Sequence, residues 1–172
     1  PYRRQRQMCI RDRSVFVSCL LIGILMAKKY SNRLQELREM KNALNMFETK
    51  IKFTYESLPE IFKEISRQSN KNIGDIFKKA CEDMKDKSAG EAWNESIDTV
   101  NSNMNIEDKT ILKSLGKLLG KTDIEGQISE IKLVSSFLDT QIELAEKEKE
   151  KNEKMYKTLG GIVGLTLVII FI

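Results

Sequence analysis

L-R-E-M-K-N-A-L-N-M-F-E-T-K-I, residues 37–51, places Leu37, Met40, Leu44, Phe47 and Ile51 at steps of 3, 4, 3 and 4. That is the period of an α-helix carrying a single apolar stripe, with charged and polar residues on its other faces. The stripe predicts a helix from about Tyr30 to Tyr55. Reading onward, the same period recurs to the end of the chain and strand signal is nearly absent, so the expectation is an all-α protein.

After the first helix, S-L-P-E at Ser57–Glu60 has the spacing of a capping box, with the only internal proline just inside the helix start. A second helix is expected there, burying Ile61, Phe62 and Ile65. The N-K-N-I-G run from Asn70 to Gly74 reads as a turn, and Ile76, Phe77, Ala80 and Met84 stripe a third helix. Ser88 and Glu91 repeat the box spacing ahead of a short fourth helix with Trp93, Ile97 and Val100, where Trp93 is expected to anchor the core.

A fifth helix, from near Ile106 to Leu119, carries Ile111, Leu112, Leu115, Leu118 and Leu119, and Gly120 is positioned to end it in a left-handed cap. Thr122 or Asp123 then caps the sixth, whose apolar set is Ile124, Ile128, Ile131, Ser135, Leu138, Ile142 and Ala145. No glycine or proline interrupts that helix between Gly126 and Gly160, so it is expected to run through the charged E-K-E-K-E-K-N-E-K segment. The architecture predicted is a six-helix bundle with a long C-terminal helix, flanked by N- and C-terminal membrane helices.

Those flanking segments are Ser14–Ala27 and Leu159–Ile172, each uncharged over 14 residues. A spanning helix needs roughly 17 to 25 residues, so each would draw on its neighbours; Met155, Tyr156, Lys157 and Thr158 extend the second upstream. Gly160 and Gly164 form G-x-x-x-G within it, a spacing that lets two helices approach closely. Lys28, Lys29, Arg33 and Arg38 follow the first segment, and Lys147, Lys149, Lys151, Lys154 and Lys157 precede the second. Positive residues beside membrane helices stay cytoplasmic, which places residues 28–158 in the cytoplasm as a helical bundle and stalk.

Residues 1–13, P-Y-R-R-Q-R-Q-M-C-I-R-D-R, hold five arginines and one aspartate, a net +4 equal to that of the whole chain. Setting them aside leaves 24 basic and 24 acidic side chains, so the basicity is local and gives no argument for nucleic acid. This stretch resembles translated sequencing-adapter DNA and is expected to be a non-native leader.

Catalytic chemistry has little to stand on. The sequence contains no histidine, which removes Cys-His and Ser-His nucleophile pairs and the commonest zinc ligand. Cys9, Cys19 and Cys81 have no metal or disulfide spacing, and Cys81 reads as a small core residue. Gly120-Lys121-Thr122 mimics the tail of a phosphate-binding loop, but the required earlier glycine would fall at position 115, which is leucine, and a helix precedes the motif where a strand is needed. Glu82, Asp83 and Asp86, interleaved with Lys85 and Lys87, read as an exposed charged face. No enzyme, cofactor or metal is expected.

The series A-K-K-Y, the stripe of the first helix, L-P-E-I-F, G-D-I-F-K-K-A, E-A-W, L-G-K-T-D-I-E-G-Q and K-N-E-K-M-Y-K-T-L-G resembles the stage III sporulation protein AB family of endospore-forming bacteria. The resemblance covers roughly Ala27 to Ile172 and is most specific at Leu119, Gly120, Asp123, Gly126 and Gln127 and at Lys151, Asn152, Met155, Tyr156, Leu159 and Gly160.

The resemblance implies a soluble domain similar to the cytoplasmic helical domain of the type II secretion platform protein. It further implies a membrane-anchored scaffold in a secretion or channel complex, lying in the mother-cell membrane around the forespore. The partners implied are a cytoplasmic AAA-type ATPase and the other membrane proteins of the stage III complex. The corner between the fifth and sixth helices is the candidate docking point: Gly120 ends one helix, Asp123 caps the next, and Gly126 with Gln127 leaves a small polar spot for a partner backbone. The same corner also reads as a tight turn needed only for folding. The alternative to the scaffold is a generic membrane-tethered helical adaptor that self-associates into a homo-oligomer through its 3-4 stripes.

Overall fold

The computed structural model describes residues 2–54 and 56–171, with side chains throughout 27–156 except at 55 and at scattered positions beyond. The elements are α1 (Tyr2–Phe53), α2 (Leu58–Gln68), α3 (Lys71–Asp83), α4 (Ala89–Thr99), α5 (Ile106–Leu115) and α6 (Ile124–Phe171), with no strand among the described residues. Contacts divide the chain into two units, Arg33–Leu144 and the pair Pro1–Asn32 with Ala145–Ile172.

The all-α expectation and the six helices hold, and the ends require correction. The two apolar stretches are not separate flanking helices: one is part of the 52-residue α1 and the other closes the 48-residue α6. Among the described residues no helix is long and apolar enough to cross a membrane, so flanking membrane helices are not supported there. The physical reason is length, since 14 uncharged residues fall short of the roughly 17 to 25 a bilayer requires. The side chains of the leader at 1–13, most side chains of 14–27 and the packing of Gly160 and Gly164 lie outside the described residues.

Within Arg33–Leu144 the stripe of α1 is the centre of the core. Leu37, Met40, Leu44 and Phe47 have no exposed surface and Ile51 is buried. Phe62 of α2 meets Phe47 at 5.1 Å, Phe77 of α3 at 5.1 Å and Trp93 of α4 at 5.7 Å, the three ring pairs inclined by 66° to 76°. Phe77 and Trp93 close the cluster at 5.2 Å. Edge-to-face pairs of this kind contribute about 0.5–1.5 kcal/mol each beyond their area. The indole Nε1–H of Trp93 donates to the Leu112 carbonyl at 2.7 Å, which satisfies its polar edge and ties α5 to the cluster. Trp93 is thus the core anchor expected.

Helix starts follow the capping chemistry. The Ser57 backbone N–H donates to the Glu60 carboxylate at 3.0 Å, and the Ser57 hydroxyl does so at 2.8 Å. The Ser88–Glu91 box closes in both directions, at 3.2 Å from the Ser88 N–H and 3.4 Å from the Glu91 N–H. These bonds hold both glutamates below the ordinary carboxylate range, through the Ser57 backbone bond first at Glu60 and the Ser88 hydroxyl bond first at Glu91. The expected turn at Asn70–Gly74 is instead the start of α3, with Asn70 as its cap and Ile73 buried. Burying Ile73 beside Ile76, Phe77 and Ala80 favours helix over turn at that point.

The seam of α6 is the expected one at Ile131, Leu138 and Ala145 and is turned slightly between them. Ile131, Val134, Leu138 and Gln141 are buried at steps of 3, 4 and 3, whereas Ile124 is half exposed and Ser135 and Ile142 are intermediate. Lys41 pairs with Asp139, and Lys132 with Glu48 at 3.5 Å, so α1 and α6 run antiparallel in this unit.

In the second unit Ala27 and Ala145 are buried, and Tyr30 stacks on Tyr156 with centroids 6.1 Å apart.

Candidate functional site

The sequence-predicted corner exists, with a different helix end. Regular α5 stops at Leu115, not Leu119, and the chain continues in tight turns, Lys117 N–H to the Ser114 carbonyl at 3.1 Å and Lys121 N–H to the Leu118 carbonyl at 3.0 Å. The capping residue is Gly116, whose backbone is pressed against α4: a Cβ there would sit 2.6 Å from Asn94 Oδ1 and 2.9 Å from the Gly90 carbonyl oxygen. Close backbone approach of α4 thus requires a glycine at the position that caps α5. Gly120 then adopts φ +73°, the left-handed conformation expected of it, at the end of the turns and not at the end of the helix.

Asp123 caps α6: its Oδ1 accepts from the Gly126 N–H at 3.1 Å, and its carbonyl accepts from the Gln127 N–H at 3.0 Å. The Gln127 side-chain amide donates to the Thr122 carbonyl at 3.1 Å, while Gln127 Oε1 is buried and accepts no hydrogen bond among the described residues. A Cβ at Gly120 would be 3.4 Å from Ala89 and 3.5 Å from Leu58, the first residues of α4 and α2. The corner therefore gathers Gly120, Asp123, Gly126 and Gln127 beside the starts of α2, α4 and α6. Its cap donors are matched by Glu60, Glu91 and Asp123, and Gly120, Lys121 and Asp123 are exposed. Chemically this is a capped, polar corner with one unmatched acceptor, and among the described residues no nucleophile and base meet there.

Sequence reasoning missed a second polar assembly. Arg33 makes a two-pronged pair with Asp108, Nε to Oδ2 at 2.8 Å and Nη2 to Oδ1 at 2.9 Å, and also donates to Gln141 Oε1 at 3.1 Å. Asp108 has no exposed surface and Arg33 retains 7%. The same carboxylate closes a third capping box, accepting from the Asn105 N–H at 2.9 Å while Asn105 Oδ1 accepts from the Asp108 N–H at 2.7 Å. One turn along α1, Glu36 accepts from Asn72 Nδ2 at 2.7 Å and from the Asn103 N–H and Nδ2 at 2.7 and 2.6 Å. This network joins α1, α3, α5, α6 and the 100–105 loop. The Asn-x-x-Asp spacing at 105–108 was a sequence signal for the box; the partner 75 residues away was not.

The decoys resolve as structure. At the phosphate-loop mimic, Thr122 Oγ1 donates to the Leu118 carbonyl at 3.4 Å within the turn that follows α5. Asp83 pairs with Lys79 at 3.1 Å, and no group of three metal-ligating side chains occurs among the described residues.

A family model described as stage III sporulation protein AB matches residues 14–172. Stage III sporulation protein AB of Bacillus subtilis (strain 168) is 31% identical over 161 residues, covering 91% of this chain and 94% of that protein. A solved structure of a stage III sporulation protein AB matches with a TM-score of 0.63 at 25% identity, covering 70% of this chain and 98% of that one.

Proposed function

The chain belongs to the stage III sporulation protein AB family, and we propose that it acts there as a membrane-anchored scaffold that docks a cytoplasmic AAA-type ATPase to a channel or secretion complex. One observation carries the reading: the Gly120–Gln127 corner is rigidly capped yet surface-facing, and it holds a buried acceptor, Gln127 Oε1, that nothing in the described chain fills. A partner N–H delivered to that oxygen would complete the hydrogen bonding, which is the usual requirement of a buried carbonyl. The corner is stiff because turns, cap and left-handed glycine fix its backbone, so a partner docking there meets a preformed shape.

Membrane anchoring belongs to the same proposal. The uncharged stretch 14–27 lies in the N-terminal half of α1 and 159–172 closes α6, each beside a lysine-bearing run, and Gly160 with Gly164 supplies a helix-packing spacing. The location proposed is the mother-cell membrane around the forespore, with residues 28–158 cytoplasmic and the other stage III membrane proteins as neighbours. Action through shape agrees with a polar inventory made of caps and ion pairs. A self-associating adaptor would require the α1 stripe free, and its residues Leu37, Met40, Leu44 and Phe47 are fully buried.

The test is deletion of the gene in its endospore-forming host. Engulfment should proceed and forespore maturation should stop, with complementation by the full chain; a wild-type spore count after deletion rejects the scaffold role.

A further inference from the structure

Between α2 and α3 lies a groove of about 500 Å³ lined by Lys63, Ser66, Arg67, Lys78, Cys81, Glu82 and Lys85. We propose that it receives an acidic, amphipathic segment of a partner protein. Four cations face one carboxylate, and among the described residues none of Lys63, Arg67, Lys78 and Lys85 takes part in an ion pair. Three acids near these cations have nearer partners outside the groove: Glu64 is engaged by Lys50 at 2.6 Å, Asp83 by Lys79 at 3.1 Å, and Glu60 by Ser57 at 2.8 Å. Lys87 likewise pairs with Glu95. Among the residues that line the groove the cations thus outnumber the carboxylates four to one, with Glu60 beside Lys63 as a partial counter-charge at one end.

The floor narrows the ligand further. Its polar atoms are satisfied internally, the Ser66 hydroxyl donating to the Lys63 carbonyl at 2.7 Å and the Cys81 thiol to the Pro59 carbonyl at 3.3 Å. What remains for a ligand is the aliphatic stems of the lysines as walls and their ammonium groups as rims. Lys63 and Arg67 stand one turn apart on α2, opposite Lys78 and Lys85 on the α3 side. Cations on two facing walls suit a chain that lies in the cleft with carboxylates on both edges and apolar side chains between; a flat anionic bilayer would reach one rim at a time. The groove shares no lining residue with the Gly120–Gln127 corner, so this inference stands or falls apart from the ATPase-docking reading.

The experiment uses the full chain in zwitterionic micelles and a fluorescent amphipathic peptide of alternating glutamate and leucine turns, with a lysine-for-glutamate peptide and phosphatidylglycerol vesicles as comparisons. Saturable binding of the acidic peptide is expected, abolished near 1 M salt, where the screening length is about 3 Å. Lys63→Glu with Lys78→Glu should weaken it at least about tenfold, because reversed rim charges repel the ligand, and Glu82→Lys should tighten it. Bound peptide should protect Cys81 from maleimide, read by mass spectrometry of its tryptic fragment. Trp93 fluorescence checks that the variants fold, and Lys85→Glu serves if the double variant does not. The proposal is overturned if the charge-reversed protein binds within about twofold of wild type, if the lysine peptide binds equally well, if Cys81 labelling is unaffected at saturation, or if only the vesicles bind.

Discussion

Asp108→Ala should be the most damaging single truncation of a charged side chain in this chain. The substitution strips the Arg33 guanidinium, in a residue 7% exposed, of its two-pronged carboxylate partner and removes the carboxylate that closes the Asn105 box. Orphaning one member of a buried pair costs about 3–5 kcal/mol, and losing a cap interaction about 1 kcal/mol. Together these approach about 4–6 kcal/mol, a large part of the roughly 5–15 kcal/mol that stabilises an ordinary domain. At about 4 °C per kcal/mol for a unit of this size, the unfolding temperature should fall by about 16–24 °C. Trp93 is the single tryptophan and sits in the core of the same unit, so its fluorescence during urea or thermal unfolding reports this loss directly. Replacing both partners, Arg33→Met with Asp108→Leu, should recover most of it, since no charge is then left buried. An Asp108→Ala protein within about 1 kcal/mol of wild type would refute the reasoning, because the pair would then have to be solvated.

Other consequences are as direct. Phe62→Ala removes the hub of the aromatic cluster and should cost about 3–5 kcal/mol in urea unfolding. Gly90→Ala drives a methyl into the Gly116 carbonyl and should cost about 1–3 kcal/mol, with Gly116→Ala comparable and the pair less than additive. Gly120→Ala places an ordinary side chain at φ +73° and should cost about 1–2 kcal/mol while leaving the helix content by circular dichroism intact. Glu60 and Glu91 have lowered folded-state pKa values, so their stabilisation is present above the ordinary glutamate pKa and is lost as pH falls through the lowered one. Glu60→Gln with Glu91→Gln, which removes both titrating groups, should accordingly flatten the acid limb of stability against pH, and an unchanged limb would show the boxes open in solution.

The α1 stripe, the Ser57 and Ser88 caps and the left-handed glycine were legible because each depends on residues within a turn or two of one another. The end of α5 was not: it falls at Gly116, where the backbone meets Gly90 across the bundle, and the sequence there reads as an unbroken leucine-rich helix. On α6 the sequence placed Ile131, Leu138 and Ala145 in the seam, where they are buried, but chose Ser135 and Ile142 over their neighbours Val134 and Gln141, since Gln141 looks like a surface residue until Arg33 is seen to need its carbonyl. Charged residues far apart in sequence look like solvated ones, which hid Arg33 and Asp108. For the same reason the α2–α3 groove had no signature; its cations become a cluster only when two helices are laid side by side. Of the corner, the residues were readable and the setting was not: the nearness of Leu58 and Ala89 is a tertiary fact.

The most direct test of the scaffold account is affinity purification of the full chain from sporulating cells, comparing wild type with Lys121→Glu and Gln127→Ala. The account predicts that wild type brings down an AAA-type ATPase during sporulation, and that the two variants lose it while remaining folded, as read by helix content and Trp93 fluorescence. Equal recovery of the ATPase by the corner variants, or none by the wild type, would contradict it.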